Sequence, residues 1–164
     1  MNTRRIVFIA TIAALYAIFT IAIAPVSYGP VQFRVSEVLK VFVLFDPFAA
    51  IGIGIGTFFA NLASPYAGPW ELIFMPITDM IGGGIAWGIY RLMANRWPVI
   101  PMVVYAVTTG AAVGLMLTVL GVGGFWLMFV SVGASELVIL VTGTPIIFYI
   151  ARVLRKRGSR FISK

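Results

Sequence analysis

Residues 6–24 read IVFIATIAALYAIFTIAIA, a run of nineteen residues without a charged side chain. A helix needs about 20 apolar residues to cross the hydrocarbon core of a bilayer, so this run predicts a membrane-spanning helix. Arg4 and Arg5 precede it, an arrangement also found in secretory signals. However, the run is longer than the roughly 7–15 apolar residues of a signal, and Pro25 would directly follow the cleavage point. We therefore interpret residues 6–24 as a retained first helix.

The composition extends this prediction to the whole chain. Of 164 residues, 61% are hydrophobic and 10% are charged, and the mean hydropathy is +1.05. Soluble domains contain about 25% charged residues, so an ordinary soluble domain is excluded. The length is sufficient for about six helices of roughly 20 residues each. The predicted fold class is an all-α membrane protein, a six-transmembrane-helix bundle that forms one domain over residues 1–164.

Turn residues divide the chain into six segments. The predicted helices cover residues 6–24, 38–45, 47–62, 70–92, 99–120 and 125–154. Ser36 is the expected N-cap of the second helix, which is short for a membrane span. Asp46 and Pro47 favour the start of the third helix, and Pro145 is expected to kink the sixth.

The basic residues predict the orientation of the bundle. If both termini are inside, one side of the membrane receives Arg4, Arg5, Arg91, Arg96, Arg152, Arg155, Lys156, Arg157, Arg160 and Lys164. Positive side chains concentrate on the cytoplasmic side, so we expect an N-in, C-in topology with outer loops at residues 25–35, 64–69 and 121–124. The basic tail, residues 152–164, is then expected to bind anionic lipid headgroups of the bilayer and no nucleic acid.

The chain lacks the residues that several kinds of chemistry require. The chain has no Cys and no His, which excludes disulfides, thiolate or imidazole metal sites, and Ser-His or Cys-His catalysis. Residues 52–56, GIGIG, lack the Lys and the Ser or Thr of a phosphate-binding loop. We therefore expect no enzyme activity, no metal and no cofactor.

Polar side chains within the apolar helices are the candidate functional residues. At a rise of 1.5 Å per residue, Glu136 lies about 16 Å and Asp79 about 13 Å from the outer ends of their helices. The other candidates, near outer helix ends, are Arg34, Ser36, Glu37, Asn61, Trp70 and Glu71. Because ionised groups are costly in lipid, we expect these side chains to gather around a cavity open to the outside. Carboxylates would accept N–H donors, aromatic rings would stack on a planar solute, and Arg34 would hold a carbonyl or anionic group.

Purely structural roles stay open for several of these side chains. Glu37 and Asp79 could each pair with Lys40, and Arg34 with Glu37, so as to neutralise charge within the bundle. Trp70 could be an ordinary aromatic residue of the membrane interface.

Small residues recur at four-residue spacing. The pairs are Ala10/Ala14, Ala13/Ala17, Gly52/Gly56, Gly84/Gly88 and Gly110/Gly114. Helices associate in lipid through such faces because their backbones can approach closely. We expect the glycine pairs to pack inside the bundle, whereas the alanine face of the first helix could equally dock another membrane protein.

Four stretches of the chain resemble one transporter family. They are residues 14–17 (ALYA), 27–37 (SYGPVQFRVSE), 52–56 (GIGIG) and 60–65 (ANLASP). Together they resemble the QueT family, the substrate-binding (S) components of energy-coupling factor (ECF) transporters assigned to queuosine precursors. The resemblance implies a multi-pass protein of the prokaryotic cytoplasmic membrane that captures its solute outside the cell. It also implies docking onto a membrane T-component driven by two cytoplasmic ATPases.

The same resemblance assigns roles to individual residues. Residues 25–35 would form a gate over the site, and the docking face would comprise Ala10, Ala13, Ala14 and Ala17. Polar positions of the family pattern are matched by Gln32, Arg34, Glu37, Asn61, Glu71 and Glu136. Tyr28, Trp70 and Asp79 complete the predicted substrate-binding set. With a 7-deazaguanine solute, Glu136 and Glu71 would pair with N1–H and the exocyclic amine, and Tyr28 or Trp70 would stack on the ring.

Two positions depart from the family pattern. Glu71, preceded by Trp70, stands where the family usually has Asp, and Asp79 stands where an apolar or small residue is expected. The alternatives are therefore an S-component for another vitamin-like micronutrient, or a small channel-like or structural membrane subunit.

Overall fold

The fold consists of helices joined by short turns. The computed structural model describes residues 3–29 and 32–156, the last three of them by their backbone alone. The helices are α1 (Thr3–Ala22), α2 (Ala24–Ser27), a 3-10 helix (Val35–Leu44), α3 (Phe48–Asn61), a π-helical turn (Trp70–Phe74), α4 (Met75–Leu92), α5 (Val99–Val119) and α6 (Phe125–Lys156). These described residues contain no strand, which confirms the predicted all-α class.

Within the described residues, four helices are long and apolar enough to cross a membrane. They are Thr3–Ala22, Trp70–Leu92, Val99–Val119 and Phe125–Val153. The chain is therefore a multi-pass membrane protein. Of the six predicted spans, the remaining two are shorter, because α3 has 14 residues and the 3-10 helix has 10.

Helices α1 and α3 pack closely and run in the same direction. A Cβ atom added to Gly52 would lie 2.8 Å from the Ile9 carbonyl oxygen, and one added to Gly56 would lie 2.7 Å from Tyr16 Cβ. A later residue of α3 therefore contacts a later residue of α1, so the two helices are parallel. Because a larger residue would clash at either position, the expected internal packing of this glycine pair is confirmed.

Helices α5 and α6 also meet through glycines, but they run in opposite directions. An added Cβ would lie 2.8 Å from Gly133 Cα at Gly110 and 3.0 Å from the Phe129 nitrogen at Gly114. The partner positions thus decrease along α6 as the glycine positions increase along α5. This pair also confirms the expectation of internal packing.

The third glycine pair behaves differently. A Cβ added to Gly84 or Gly88 meets no atom within 4 Å. The expectation of internal packing is wrong here, because this face of α4 turns away from the neighbouring helices.

The 3-10 helix lies in the middle of the bundle and contacts α1, α3, α4 and α6. At a rise of about 2.0 Å per residue, it extends about 20 Å, compared with about 15 Å for an α-helix of the same length. Its direction is opposite to that of α1, since Thr20 near the end of α1 contacts Ser36 near the start of the 3-10 helix at 2.6 Å. The chain therefore passes back through the bundle between α1 and α3.

The helix type corrects the prediction for this segment. An α-helix was expected over residues 38–45, whereas the structure has a 3-10 helix that begins at Val35. With three residues per turn, side chains three positions apart lie on the same line. Glu37 and Lys40 therefore face the same side of the segment.

A predicted turn residue acts at the start of α3. The Asp46 carboxylate accepts a hydrogen bond of 2.9 Å from the Phe48 N–H at the start of α3. α1 ends at Ala22, two residues before the predicted end, and Pro145 lies inside α6.

Parts of two predicted segments lie outside the described residues. They are Pro30 and Val31 of the gate over residues 25–35, and residues 157–164 of the basic tail. Arg152, at the start of that tail, is exposed.

Candidate functional site

A buried lysine holds three carboxylates together. Lys40 Nζ lies 2.7 Å from Glu37 Oε2 and 2.7 Å from Glu136 Oε1. It also lies 2.9 Å from Asp79 Oδ1 and donates a hydrogen bond of 3.1 Å to Thr109 Oγ1. The lysine side chain is fully buried. These contacts join the 3-10 helix, α4, α5 and α6 at one point, which we call the Lys40 cluster.

Hydroxyl and aromatic groups from other helices support this cluster. Tyr16 of α1 donates a hydrogen bond of 2.7 Å to Glu37 Oε1, and Thr57 of α3 donates one of 2.6 Å to Asp79 Oδ2. The Tyr105 ring centroid lies 4.7 Å from the lysine ammonium, a distance typical of a cation–π contact. Each carboxylate oxygen of Glu37 and of Asp79 therefore contacts either a hydroxyl group or the lysine ammonium.

Arg34 forms a second cluster beside the first. Its guanidinium donates hydrogen bonds to Asn61 Oδ1 at 3.2 Å and to the Ser27 carbonyl oxygen at 3.3 Å. It lies 5.3 Å from the Tyr28 ring centroid and 3.8 Å from Glu71 Oε1. This Arg34 cluster thus ties the predicted gate to the end of α3 and to the π-helical turn.

Tyr28 is fixed by its hydroxyl as well as by its ring. Burial raises the pKa of the Tyr28 phenol above its ordinary value, and the Arg34 guanidinium opposes this shift. The hydroxyl therefore stays protonated and donates a hydrogen bond to the Ala60 carbonyl oxygen. The contact holds the start of the gate against α3.

Glu71 is the least satisfied acid of the site. Its side chain is fully buried beside Ser64 and Arg34. Neither carboxylate oxygen has a hydrogen bond of good geometry among the described residues, so its polar contacts are the adjacent Ser64 hydroxyl and the Arg34 guanidinium. Its main-chain carbonyl accepts a hydrogen bond of 2.9 Å from Asn61 Nδ2. Glu71 is therefore less tightly held than the acids around Lys40.

A small cavity lies between the two clusters. Its polar lining comprises Gln32, Arg34, Glu37, Asp79, Thr109 and Glu136, and its apolar lining comprises Met75, Val113 and Val132. Its volume is about 10 Å³, which is close to the minimum that holds one water molecule. The site is therefore closed around its own side chains in this conformation.

Most of the predicted substrate-binding residues come together. Gln32, Arg34, Glu37, Asp79 and Glu136 line the cavity. Tyr28, Asn61 and Glu71 belong to the adjacent Arg34 cluster. The predicted pairing of Asp79 with Lys40, and of Glu37 with Lys40, is also confirmed.

Trp70 lies apart from both clusters. Its ring makes an edge contact with Phe74, and its side chain is 37% exposed. The structure therefore gives no support to Trp70 as a stacking partner for a solute, because the π-helical turn that buries the adjacent Glu71 directs Trp70 outward.

Sequence reasoning missed the central role of Lys40. It also missed the supporting side chains, which are Tyr16, Thr57, Tyr105 and Thr109. The available signals were the three-residue spacing of Glu37 and Lys40 and the hydroxyl groups inside apolar helices, which need partners in lipid.

The four alanines of the predicted docking face do not all point outward from the bundle. Ala10 and Ala14 are exposed and Ala17 is partly exposed. Ala13 is 7% exposed, and a Cβ on Gly56 would lie 2.8 Å from its carbonyl oxygen. Ala13 therefore packs against α3, and the outward face of α1 carries the other three alanines.

The fold and the buried clusters together define the class of protein. Apolar helices that enclose fixed charges around a closed cavity are typical of a membrane transport protein. A family model described as "QueT transporter" matches residues 6–152, and the chain belongs to this family. The family confirms both the resemblance found in the sequence and the expectation of a transporter rather than an enzyme.

One curated relative supports the same family. The chain is 44% identical over 65 residues to the "Queuosine precursor transporter QueT" of Lactococcus lactis subsp. cremoris (strain MG1363). The match covers 38% of this chain and 38% of that relative, which is well under half of either protein. No solved structure matches the chain.

Proposed function

We propose that the chain is the solute-binding S-component of an ECF importer and captures a queuosine precursor of the 7-deazaguanine type. In this proposal it forms a single domain in the prokaryotic cytoplasmic membrane and receives its solute from outside. The observation that carries the proposal is the cavity that Glu37, Asp79 and Glu136 line together with Arg34 and Gln32. Membership of the QueT transporter family and the substrate in the name of the Lactococcus relative support it.

The polar lining suits the edge of a 7-deazaguanine ring. That edge presents N1–H and an exocyclic amine as adjacent donors, and a carbonyl oxygen as an acceptor. A carboxylate such as Glu136 accepts both donors in a paired geometry, while Arg34 or Gln32 donates to the carbonyl. Met75 and Val113 offer apolar surface to the faces of the ring.

In the proposed mechanism the gate moves to admit the solute. A volume of about 10 Å³ is far below the roughly 300 Å³ at which ligand pockets begin. Gln32 and Arg34 are cavity-lining residues of the predicted gate, residues 25–35. Displacement of this segment would open the cavity without disturbing the helices behind it.

The proposed bundle passes six times through the membrane, which the opposite directions of α1 and the 3-10 helix and of α5 and α6 support. In this arrangement the 3-10 helix and α3 are the two short spans, and both termini lie on the same side. The positive-inside rule favours the orientation that has Arg4, Arg91 and Arg152 in the cytoplasm. The outward face of α1, with Ala10, Ala14 and Ala17, then docks the T-component, which two ATPases drive.

A binding panel tests the proposal. Detergent-purified protein is titrated with 7-deazaguanine precursors, riboflavin, thiamine and biotin, and heat release is measured by calorimetry. We expect saturable binding of a 7-deazaguanine only. Binding of a vitamin instead would make the chain an S-component for another micronutrient, and binding of none would favour a structural or channel-like subunit.

A further inference from the structure

A groove lies on the surface of the bundle between α5 and α6. Its volume is about 580 Å³, within the roughly 300–1,000 Å³ of ligand pockets. It shares no lining residue with the cavity between the Lys40 and Arg34 clusters. Its apolar walls include Pro98, Val99, Val141, Pro145 and Phe148, and Arg152 is the one charged residue of the lining. The groove is therefore a separate site of different chemistry.

The groove exists because α6 extends beyond the start of α5. Gly110 of α5 packs against Gly133 of α6. Val99, at the start of α5, is eleven positions before Gly110. The same number of positions beyond Gly133 leads to Thr144, so antiparallel packing puts the start of α5 opposite Thr144. Helix α6 continues to Lys156, and its last three turns or so have no α5 residues beside them.

The length of the groove matches one leaflet of a bilayer. From Val141 to Arg152, α6 advances eleven residues, or about 16 Å at a rise of 1.5 Å per residue. The hydrocarbon core of a bilayer is about 30 Å thick, so each leaflet contributes about 15 Å. Along this length the hydroxyl of Thr144 is already satisfied, because it donates a hydrogen bond of 2.6 Å to the Leu140 carbonyl oxygen. The groove therefore suits a hydrocarbon chain better than water.

Two exposed arginines lie at the end of the groove where α5 begins and α6 ends. Arg152 forms no ion pair with a described residue. Arg96 is exposed and precedes the groove residue Pro98 by two positions, so their Cα atoms are within about 7 Å. No lining residue is acidic. Because a guanidinium binds phosphate through paired N–H donors, this end of the groove suits an anionic headgroup.

We propose that the groove binds a phospholipid of net negative charge from the leaflet on the side of Arg152. One acyl chain lies along Val141, Pro145 and Phe148, and the phosphate contacts Arg152, with Arg96 beside it. A zwitterionic phospholipid has no net charge, so the two arginines attract it less. The match to the depth of one leaflet favours a lipid over a segment of a partner protein. The site goes beyond the proposed function, since it involves no solute.

Two lipids with the same acyl chains and different headgroups test this proposal. The full-length protein is purified in detergent, freed of lipid and incubated with phosphatidylglycerol or phosphatidylcholine. Native mass spectrometry then counts the bound molecules. We expect the first phosphatidylglycerol molecule to bind at least tenfold more tightly than phosphatidylcholine. Equal binding of the two lipids would overturn the inference, and it would leave the proposed function untouched because no solute is present.

An Arg152→Gln variant tests the headgroup contact. We expect it to weaken the binding of phosphatidylglycerol at least tenfold and to leave that of phosphatidylcholine unchanged. Arg5→Gln is the matched control, because it removes the same charge from an exposed residue of α1 whose guanidinium lies 4.5 Å from the Phe48 ring centroid. An equal loss in both variants would show a general attraction by surface charge and would contradict a defined site.

A Val99→Trp variant tests the groove itself. The larger side chain would fill the space for the acyl chain, so we expect at least tenfold weaker binding of phosphatidylglycerol although both arginines remain. Val107→Trp enlarges a valine of α5 that is 49% exposed and outside the lining, and it should bind as the unaltered protein does. Retained lipid binding in Val99→Trp would overturn the inference. If that variant lost the T-component instead, the groove would belong to a protein partner.

Discussion

Tyr16 of α1 donates a hydrogen bond of 2.7 Å to Glu37 of the 3-10 helix, 21 positions further along the chain. The bond connects two surfaces with different proposed roles. Tyr16 is on the inward face of α1, and Ala14 is on the outward face proposed to meet the T-component. Glu37 lines the cavity. A shift of α1 on docking would therefore act directly on a cavity carboxylate.

The Tyr16→Phe variant tests this connection. It removes the donor and keeps the ring, which leaves Glu37 Oε1 buried without a hydrogen bond. We expect a loss of about 1–3 kcal/mol in the free energy of unfolding, measured by denaturation in detergent. Tyr149→Phe alters an exposed tyrosine (66% exposed) and should have no effect. Equal stability of the two variants would show that the Tyr16 bond contributes nothing.

Removal of the central lysine should be far more damaging. Lys40→Met leaves Glu37, Asp79 and Glu136 without their shared cation, and breaking a buried ion pair costs about 3–5 kcal/mol. We expect a large loss of folded protein, measured by size-exclusion chromatography and thermal unfolding. Arg152→Met, at an exposed base, should be tolerated.

A double variant separates lost charge balance from lost packing. Combining Lys40→Met with Glu136→Gln removes one of the unpaired acids, so we expect the double variant to be more stable than Lys40→Met alone. Additive destabilisation in this cycle would mean that the ion pair does not couple the two residues.

Glu136→Gln by itself should impair solute capture. The amide keeps the size of the side chain but cannot accept two donors from a ring edge. We expect at least a tenfold weaker Kd in calorimetry. Thr142→Val provides a control on the same helix, because Thr142 is exposed and its hydroxyl donates to the Val138 and Ile139 carbonyl oxygens of α6. Unchanged affinity in Glu136→Gln would return Glu136 to a purely structural role.

The docking surface is tested by Ala14→Trp. The new ring would project from the outward face of α1, so we expect loss of the complex with a co-expressed T-component and unchanged solute affinity. Ala134→Trp enlarges an exposed alanine of α6 and should leave the complex intact. The docking proposal is wrong if both variants co-purify with the T-component in equal yield. Ala13→Trp should misfold instead, since Ala13 packs against α3.

Two glycine substitutions compare a packed helix face with an open one. Gly56→Ala places a Cβ 2.7 Å from Tyr16 Cβ and should destabilise the protein by about 1–3 kcal/mol. Gly84→Ala has open space around it and should stabilise α4 by up to about 1 kcal/mol. Thermal unfolding in detergent measures both effects, and a reversed order would contradict the packing described for α1 and α3.

The sequence was sufficient to predict the helices and much of the site, since long apolar runs and buried charges have few alternatives in a membrane. It could not predict that Lys40 is central, because this depends on a helix type that apolar patterns do not distinguish. Likewise, four-residue spacing predicts a small face on a helix but does not say which neighbour covers it. For that reason the spacing does not separate Ala13, which packs against α3, from the outward alanines, and the internal packing predicted for Gly84 is wrong.

The three-residue spacing of Glu37 and Lys40 matches a helix with three residues per turn. If the ten residues of this helix rewound to 3.6 residues per turn, the segment would shorten by about 5 Å, and Lys40 would rotate by about 60° relative to Glu37. Such a screw-like motion would shift the ammonium relative to Asp79 and Glu136 on the neighbouring helices. A change of helix type in this one short span would therefore alter its length and its ion pairs together.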